Sequence, residues 1–290
     1  MKLNSGNFIG IFDSGIGGIS VLNQCIRLMP NENYVFFADS SNFPYGTKPN
    51  TQIAQIGLDI IGHFDKLGAK EVIIACNTMS TSDMPLFVST YPNLKIFGTY
   101  PDFTKLLTPG TILKEDTYKY DKENGLQIKK SKLKLLIIAT TATCKSTFLT
   151  QLVKEFKSFI DIYVEPTDFI VEAVENNKLE TFEFRNQLEL FFKEYKDINY
   201  LLLGCTHFPF ASDEIKKIVN DGVVMFSGGD IAAKNAFDYT SQNDMMSNIV
   251  NPTITIIDSQ IDDKRMRLYN KLIRTNSHEI IFGKSFDNLL

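Results

Sequence analysis

No apolar run in the sequence approaches the roughly 18 residues needed to span a membrane, and the chain holds only four cysteines, none in a C-x-x-C pair. The first absence excludes a membrane-spanning helix. The second excludes a disulfide framework or a zinc knuckle and leads us to expect a reducing, cytoplasmic setting. Met1-Lys2-Leu3-Asn4-Ser5-Gly6 leads into a strand-like run with no apolar signal region, which carries the same expectation. Neither a G-x-G-x-x-G turn nor a P-loop is present, and Asp13 at the mouth of the one glycine-rich turn would repel phosphate, so a small carboxylate or amine suits that turn better than a nucleotide. Charge of one sign is also lacking: the net charge is −4, so no nucleic-acid footprint is expected, and the cluster Lys129-Lys130-Ser131-Lys132 reads as a solvated loop. There is no short-period repeat and no low-complexity tract.

What is there is an alternation of β-rich runs and helical patterns, the signature of parallel α/β folding. With 290 residues, 43% of them hydrophobic and 22% charged, the chain can fill two cores. Phe8 to Phe12 is the first expected strand, followed by the turn Asp13-Ser14-Gly15-Ile16-Gly17-Gly18. A helix from about Ile19 then presents Val21, Leu22, Cys25, Ile26 and Met29 on one face. Tyr34 to Ala38 is a second strand. A helix from Thr51 carries Ile53, Ile56, Ile60, Phe64 and Leu67 and is closed by Gly68. Val72 to Ala75, apolar on both faces, reads as the middle of a parallel sheet, and Leu94 to Gly98 follows it. Residues 109–131 lose the apolar period and read as a surface excursion. A second α/β series runs from Leu133 to Ala139, through Ile162 to Val164 and a helix near Asp168 to Asn176, to Leu201 to Leu203.

Each half delivers a cysteine from a core strand into a polar segment: Ala75-Cys76-Asn77-Thr78 and Gly204-Cys205-Thr206-His207. Ligands of open parallel sheets bind beyond the carboxyl ends of the strands. Asp13-Ser14-Gly15, the Tyr45-Gly46 loop and both cysteine segments share that address. Two thiols in matched settings suit removal of a proton from one face of a carbon and its return to the other. A thiol near a helix N-terminus, or near an Asp or His able to exchange its proton, becomes a competent base. By contrast Cys25 reads as a core residue, Cys144 as structural, and His63 and His278 as structural or exposed. A metal site of Cys76, Cys205, His207 and Asp13 has suitable ligand types but no local ligand spacing, so no metal is expected.

Five stretches together resemble the cofactor-independent glutamate racemases of the aspartate/glutamate racemase superfamily. They are Gly10-Ile11-Phe12-Asp13-Ser14-Gly15-Ile16-Gly17-Gly18, Phe43-Pro44-Tyr45-Gly46-Thr47-Lys48, Ala75-Cys76-Asn77-Thr78, Ala139-Thr140-Thr141-Ala142-Thr143 and Gly204-Cys205-Thr206-His207-Phe208-Pro209. The resemblance implies two parallel-sheet α/β domains facing each other across a cleft, one formed by residues 1–99 and 211–290, the other by 100–210. It implies that Cys76 and Cys205 are the two acid/base residues, assisted by Asp13 and His207 respectively. Ser14, Tyr45, Gly46, Asn77, Thr78 and Thr206, with Asp13 and His207, would hold glutamate. No cofactor is expected; nothing singles out a Schiff-base lysine, Lys48 being the only lysine beside a motif. The further expectations are a homodimer with a small-molecule substrate and no membrane or nucleic-acid partner.

The chain also departs from the family pattern. Thr167 to Glu175 replaces a Cys-Pro-rich stretch; Glu175 aligns with the family's acidic residue near the second cysteine, and Glu172 is a neighbouring candidate at helical spacing. Met79 stands where Ala is usual, Val224 to Gly228 lacks the Asp often found before Ser-Gly, and the 109–131 insert is longer than usual, with packing, dimerisation or regulation as its open roles. Aspartate racemases are the nearest alternative, but they carry an acidic residue where this chain has His207. Superfamily decarboxylases keep one catalytic cysteine. A hydrolase with Cys205 as nucleophile and His207 as base leaves Cys76 idle, and a pure ligand-binding protein leaves the pair unexplained.

Overall fold

In a computed structural model, which describes residues 7–104, 119–120, 127–128 and 132–286, the chain forms two parallel sheets. In the larger sheet β1 (Ile9–Asp13) lies between β2 (Tyr34–Ala38) and β3 (Glu71–Ile74), with β4 (Lys95–Gly98) outside β3. Two late strands, β11 (Thr253–Asp258) and β12 (Glu279–Gly283), complete it on the far side of β2. In the smaller sheet β7 (Lys134–Ala139) lies between β8 (Asp161–Pro166) and β9 (Tyr200–Gly204), and β10 (Val224–Ser227) adds to β9. Every pairing in these two sheets is parallel. Most of the 109–131 segment lies outside the described residues; within it β5 (Lys119–Tyr120) and β6 (Gln127–Ile128) pair antiparallel.

The inner strands are buried on both faces because helices cover both sides. All five residues of β1 are buried, with Ile9 and Ile11 in one core cluster and Phe12 in another. Helix α1 (Ile19–Leu28) packs Val21, Leu22, Cys25 and Ile26 into the first cluster, the face that the apolar spacing predicts. Helix α2 (Asn50–Lys66) buries Ile53, Ile60 and Phe64 in the second. Its C-terminus is a Schellman motif: Gly68 adopts φ 74°, its N–H donates to the Asp65 carbonyl, and the Ala69 N–H donates to the Phe64 carbonyl.

The differences from expectation have local causes. Helix α3 (Asn77–Thr90) carries no legible apolar period because it is broken at Asp83 (φ −156°, ψ 56°) and contains Pro85. The smaller sheet reaches past the expected domain boundary at 210/211. Strand β10 runs from Val224 beside Tyr200 to Ser227 beside Leu203, and Phe226 joins Leu135 and Leu202 in the small unit's core. Among the described residues no helix is long and apolar enough to cross a membrane.

Candidate active site

The carboxyl ends of β1 and β3 in one sheet and of β7 and β9 in the other converge on a cavity of about 530 Å³. Asp13, Ser14, Tyr45, Gly46, Cys76, Asn77, Thr78, Cys205, Thr206 and His207 all line it. Glu175, the remaining expected site residue, stands behind His207 rather than on the wall. Cys144 lies off the wall, and Cys25 is fully buried in the core. His63 stacks on Phe286, and His278 packs beside Tyr34, with its Nε2 3.1 Å from the Glu32 carbonyl.

On the larger-sheet side, Asp13 emerges at the end of β1 with almost no solvent contact. Its Oδ1 accepts the Ser14 N–H at 2.7 Å and its Oδ2 accepts the Thr206 hydroxyl at 2.9 Å. Burial pushes its carboxyl above the ordinary range, against the opposing pull of His207 and of these donors. Cys76 occupies the N-cap position of α3. Burial, and then the neighbouring Asp13, hold its thiol well above the usual value, while the Met79 backbone N–H favours the thiolate. The adjoining Asn77 Oδ1 is buried with no hydrogen-bond partner among the described residues, although it lies on the cavity wall.

On the smaller-sheet side, Cys205 follows β9 and its Sγ lies 3.6 Å from His207 Nδ1. His207 Nε2 meets Glu175 Oε1 at 2.8 Å. Burial alone would lower the imidazole pKa, but contacts with Cys205 and Glu175 raise it well above the ordinary value. Glu175 is correspondingly lowered despite its own burial, held by His207, the Ile16 N–H at 2.9 Å and Arg265. Helix α6 (Asp168–Glu175) thus distinguishes its two glutamates: Glu175 meets the histidine, whereas Glu172 lines the cavity as an exposed residue.

The turn after β1 permits this approach because it is glycine. A Cβ on Gly17 would overlap the His207 ring and come within 2.7 Å of Thr206 Oγ1, and one on Gly15 would overlap Glu175 Oε1.

Tyr45 reaches the cavity with its hydroxyl already donated to Asp39 Oδ2 at 2.9 Å. Not expected as site residues are Thr140, the N-cap of helix α4 (Thr141–Cys144), and Thr143 within that helix, which face Thr78 across the cleft at 3.5 and 3.3 Å. Their signal was the Thr-rich stretch after an apolar strand. Arg265 carried no such signal, since it sits in a charged helix far along the chain. Among the described residues, those lining the cavity include no lysine or arginine, and no three His, Cys, Asp or Glu are grouped as a metal site requires.

No protein-family model matches the chain. It is similar to the glutamate racemase of Clostridium botulinum strain Alaska E43, 31% identical over 271 residues that cover 92% of this chain and 97% of that one. The glutamate racemase of Clostridium perfringens strain SM101 is 33% identical over 275 residues, covering 91% and 95%. Among solved structures, glutamate racemase from Francisella tularensis in complex with D-glutamate superposes with a TM-score of 0.75, 23% identity and coverage of 98% and 99%. That from Bacillus anthracis gives 0.76, with 19% identity and coverage of 97% and 98%. The structures share the fold, and the clostridial sequences match the chain over more than nine tenths of its length at nearly a third of the aligned positions; the chain belongs to the glutamate racemase family.

Proposed function

We propose that the protein is an isomerase that interconverts L- and D-glutamate by two-base proton transfer between Cys76 and Cys205. The observation that carries this reading is the pair of cysteines, borne by strands of different sheets and lining one cavity. One cysteine, as thiolate, takes the α-proton, so the Cα–H bond breaks and an S–H bond forms. The electron pair passes into the substrate carboxylate as an enediolate. The opposite thiol then gives its proton to the other face of the carbon and is left as the thiolate. Each turnover exchanges the roles of the two sulfurs. Asp13 serves the Cys76 side, and His207, held by Glu175, serves the Cys205 side.

With no lysine or arginine among the described residues of the wall, and both His207 nitrogens facing protein partners, the substrate carboxylates fall to neutral donors: the Ser14 and Thr78 hydroxyls, the Asn77 amide and backbone N–H groups beside Tyr45 and Gly46. The unpaired Asn77 Oδ1 and the Asp13 carboxylate are suited to the ammonium group. No lysine among the described residues is positioned on the wall to form an imine, and the reaction is proposed to run without a cofactor. Close placement of bases and donors in a sheltered cavity takes the place of an electron sink.

The relatives' names and the D-glutamate bound to the Francisella enzyme support glutamate as substrate. In a bacterium, D-glutamate made in the cytoplasm would enter peptidoglycan. We further propose a homodimer; sedimentation showing only monomer at micromolar concentration would remove that element. The reading as a whole is tested by circular dichroism of each glutamate enantiomer with purified protein, without pyridoxal phosphate or metal. Loss of optical activity from both, abolished in Cys76→Ala and in Cys205→Ala, is expected. Turnover of aspartate alone would change the substrate, and silence toward both amino acids would overturn the reading.

A further inference from the structure

Helix α10 (Asp263–Leu272), the last described helix, belongs with the larger sheet yet sends Arg265 toward the other side of the cleft. All three guanidinium nitrogens are used. Nε donates to Asp258 Oδ2 at 2.6 Å, one terminal nitrogen donates to Ser40 Oγ at 2.7 Å, and the other reaches Glu175 Oε2 at 3.4 Å. Asp258 is itself fully buried and fixed by the Tyr269 hydroxyl at 2.7 Å and the Gln260 N–H at 2.8 Å. Since Glu175 Oε1 holds His207 and His207 faces Cys205, an unbroken line runs Asp258–Arg265–Glu175–His207–Cys205.

We infer that Arg265 is a positioning residue for the Cys205 half of the reaction, acting from the larger-sheet unit through the outer oxygen of Glu175. The inference rests on the proposed two-base reading. Arg265 does not line the cavity, so it has no direct hold on substrate. A carboxylate anchored by one oxygen can swing about that anchor; one anchored by both cannot. The arginine charge also keeps Glu175 ionised, which keeps the proton on His207 beside the Cys205 sulfur. The Cys76 side has no such arginine anchor among the described residues: the hydrogen bonds to Asp13 come from Ser14, Thr206 and Cys76, and the His207 charge reaches it only through space.

This asymmetry gives a test that general loosening of the fold cannot imitate. Iodoacetamide alkylation of Cys76 and Cys205 is followed separately by peptide mass across pH 6–9 in wild type, Arg265→Gln and Arg265→Lys. Arg265→Gln is expected to slow Cys205 about tenfold and leave Cys76 within about twofold. Arg265→Lys, which keeps the charge but not the fork, falls between and keeps the test open if the glutamine variant folds poorly. Both thiols slowed equally, or neither, overturns the inference.

Racemisation is measured alongside with each α-deuterated enantiomer. Substrate and product have equal energy, so kcat/KM must fall equally in both directions. The isotope effect is expected to rise for the enantiomer deprotonated by Cys205 and fall for the other. Wild-type racemisation with unaltered Cys205 alkylation in Arg265→Gln sinks the Arg265 role and keeps the racemase reading. Selective slowing of Cys205 in a protein inert toward glutamate does the reverse.

Discussion

Thr206 and Asp13 stand at the ends of strands in different sheets, yet the Thr206 hydroxyl donates to Asp13 Oδ2 at 2.9 Å. The neighbour of one cysteine is thereby bonded to the proposed assistant of the other. Ser20 reinforces the seam, its hydroxyl donating to the Thr206 carbonyl at 2.7 Å. The two halves of the proposed proton path are one hydrogen-bonded unit, and its perturbation has consequences that can be measured.

Glu175→Gln is expected to lower kcat by about 10- to 100-fold, because a neutral amide no longer holds the imidazolium form of His207. Glu172→Gln, on the same helix but exposed at the cavity, is expected to stay within about threefold. Steady-state kinetics of the two variants side by side checks the assignment of roles to these glutamates. The reverse ranking would transfer the role to Glu172.

Gly17→Ala places a methyl group against the His207 ring and Thr206. The crowding is expected to cost about 1–3 kcal/mol of stability and to remove most activity by turning His207 away from Cys205. Thermal melts and circular dichroism assays of the same preparation separate the two effects. A variant with full activity would show that the turn can yield.

Glu71, at the start of β3, is fully buried, and its oxygens lack hydrogen-bond partners among the described residues. Burial pushes its carboxyl up to about 7, with the nearby Thr240 hydroxyl and Lys70 offsetting it only in part. A group whose folded pKa lies above its unfolded value contributes stability that is fully present below the unfolded value, near 4.5, and is lost as pH rises toward 7. Glu71→Gln is therefore expected to raise stability at pH 8 by about 1–3 kcal/mol and to change little at pH 4.5. Urea unfolding at the two pH values measures this, and equal effects at both would dismiss the titration of Glu71.

Lys70 is the opposite case. Its ammonium donates to Glu32 at 2.7 Å, to the Met245 carbonyl at 2.9 Å and to Ser247 at 2.6 Å, with Glu32 fully buried. Lys70→Met leaves that carboxylate without its counter-ion, held by the Ser247 N–H at 2.6 Å, and is expected to destabilise by about 3–5 kcal/mol. The drop is read from the urea midpoint at pH 7, and a shift of under about 1 kcal/mol would mean that Glu32 finds water or another donor.

Much of this was legible in the sequence for physical reasons. Strands buried on both faces announce themselves as apolar runs, and a polar residue directly after such a run, like Asp13, Cys76 or Cys205, has to surface at the carboxyl end of the sheet. The helix carrying Val21, Leu22 and Cys25 showed its spacing because one face meets the core. Helix α3 did not, being kinked at Asp83 and rich in hydroxyls. Thr140 and Thr143 belong to a legible stretch, but their meeting with Thr78 depends on how two units face each other. Arg265 was invisible because its significance lies in Asp258, Ser40 and Glu175, which no local pattern ties to it.

The place of β11 beside β2 bears on how the protein is made. On the ribosome, the whole smaller sheet and the segments bearing both cysteines are synthesised before the strand that covers the flank of β2. Until Thr253–Asp258 emerges, β2 is a bare edge of apolar Tyr-Val-Phe-Phe, open to pairing with another nascent chain. Translation arrested before residue 253 would thus release a product that holds both thiols but is prone to clump, because the strand that protects it is made after both halves of the site.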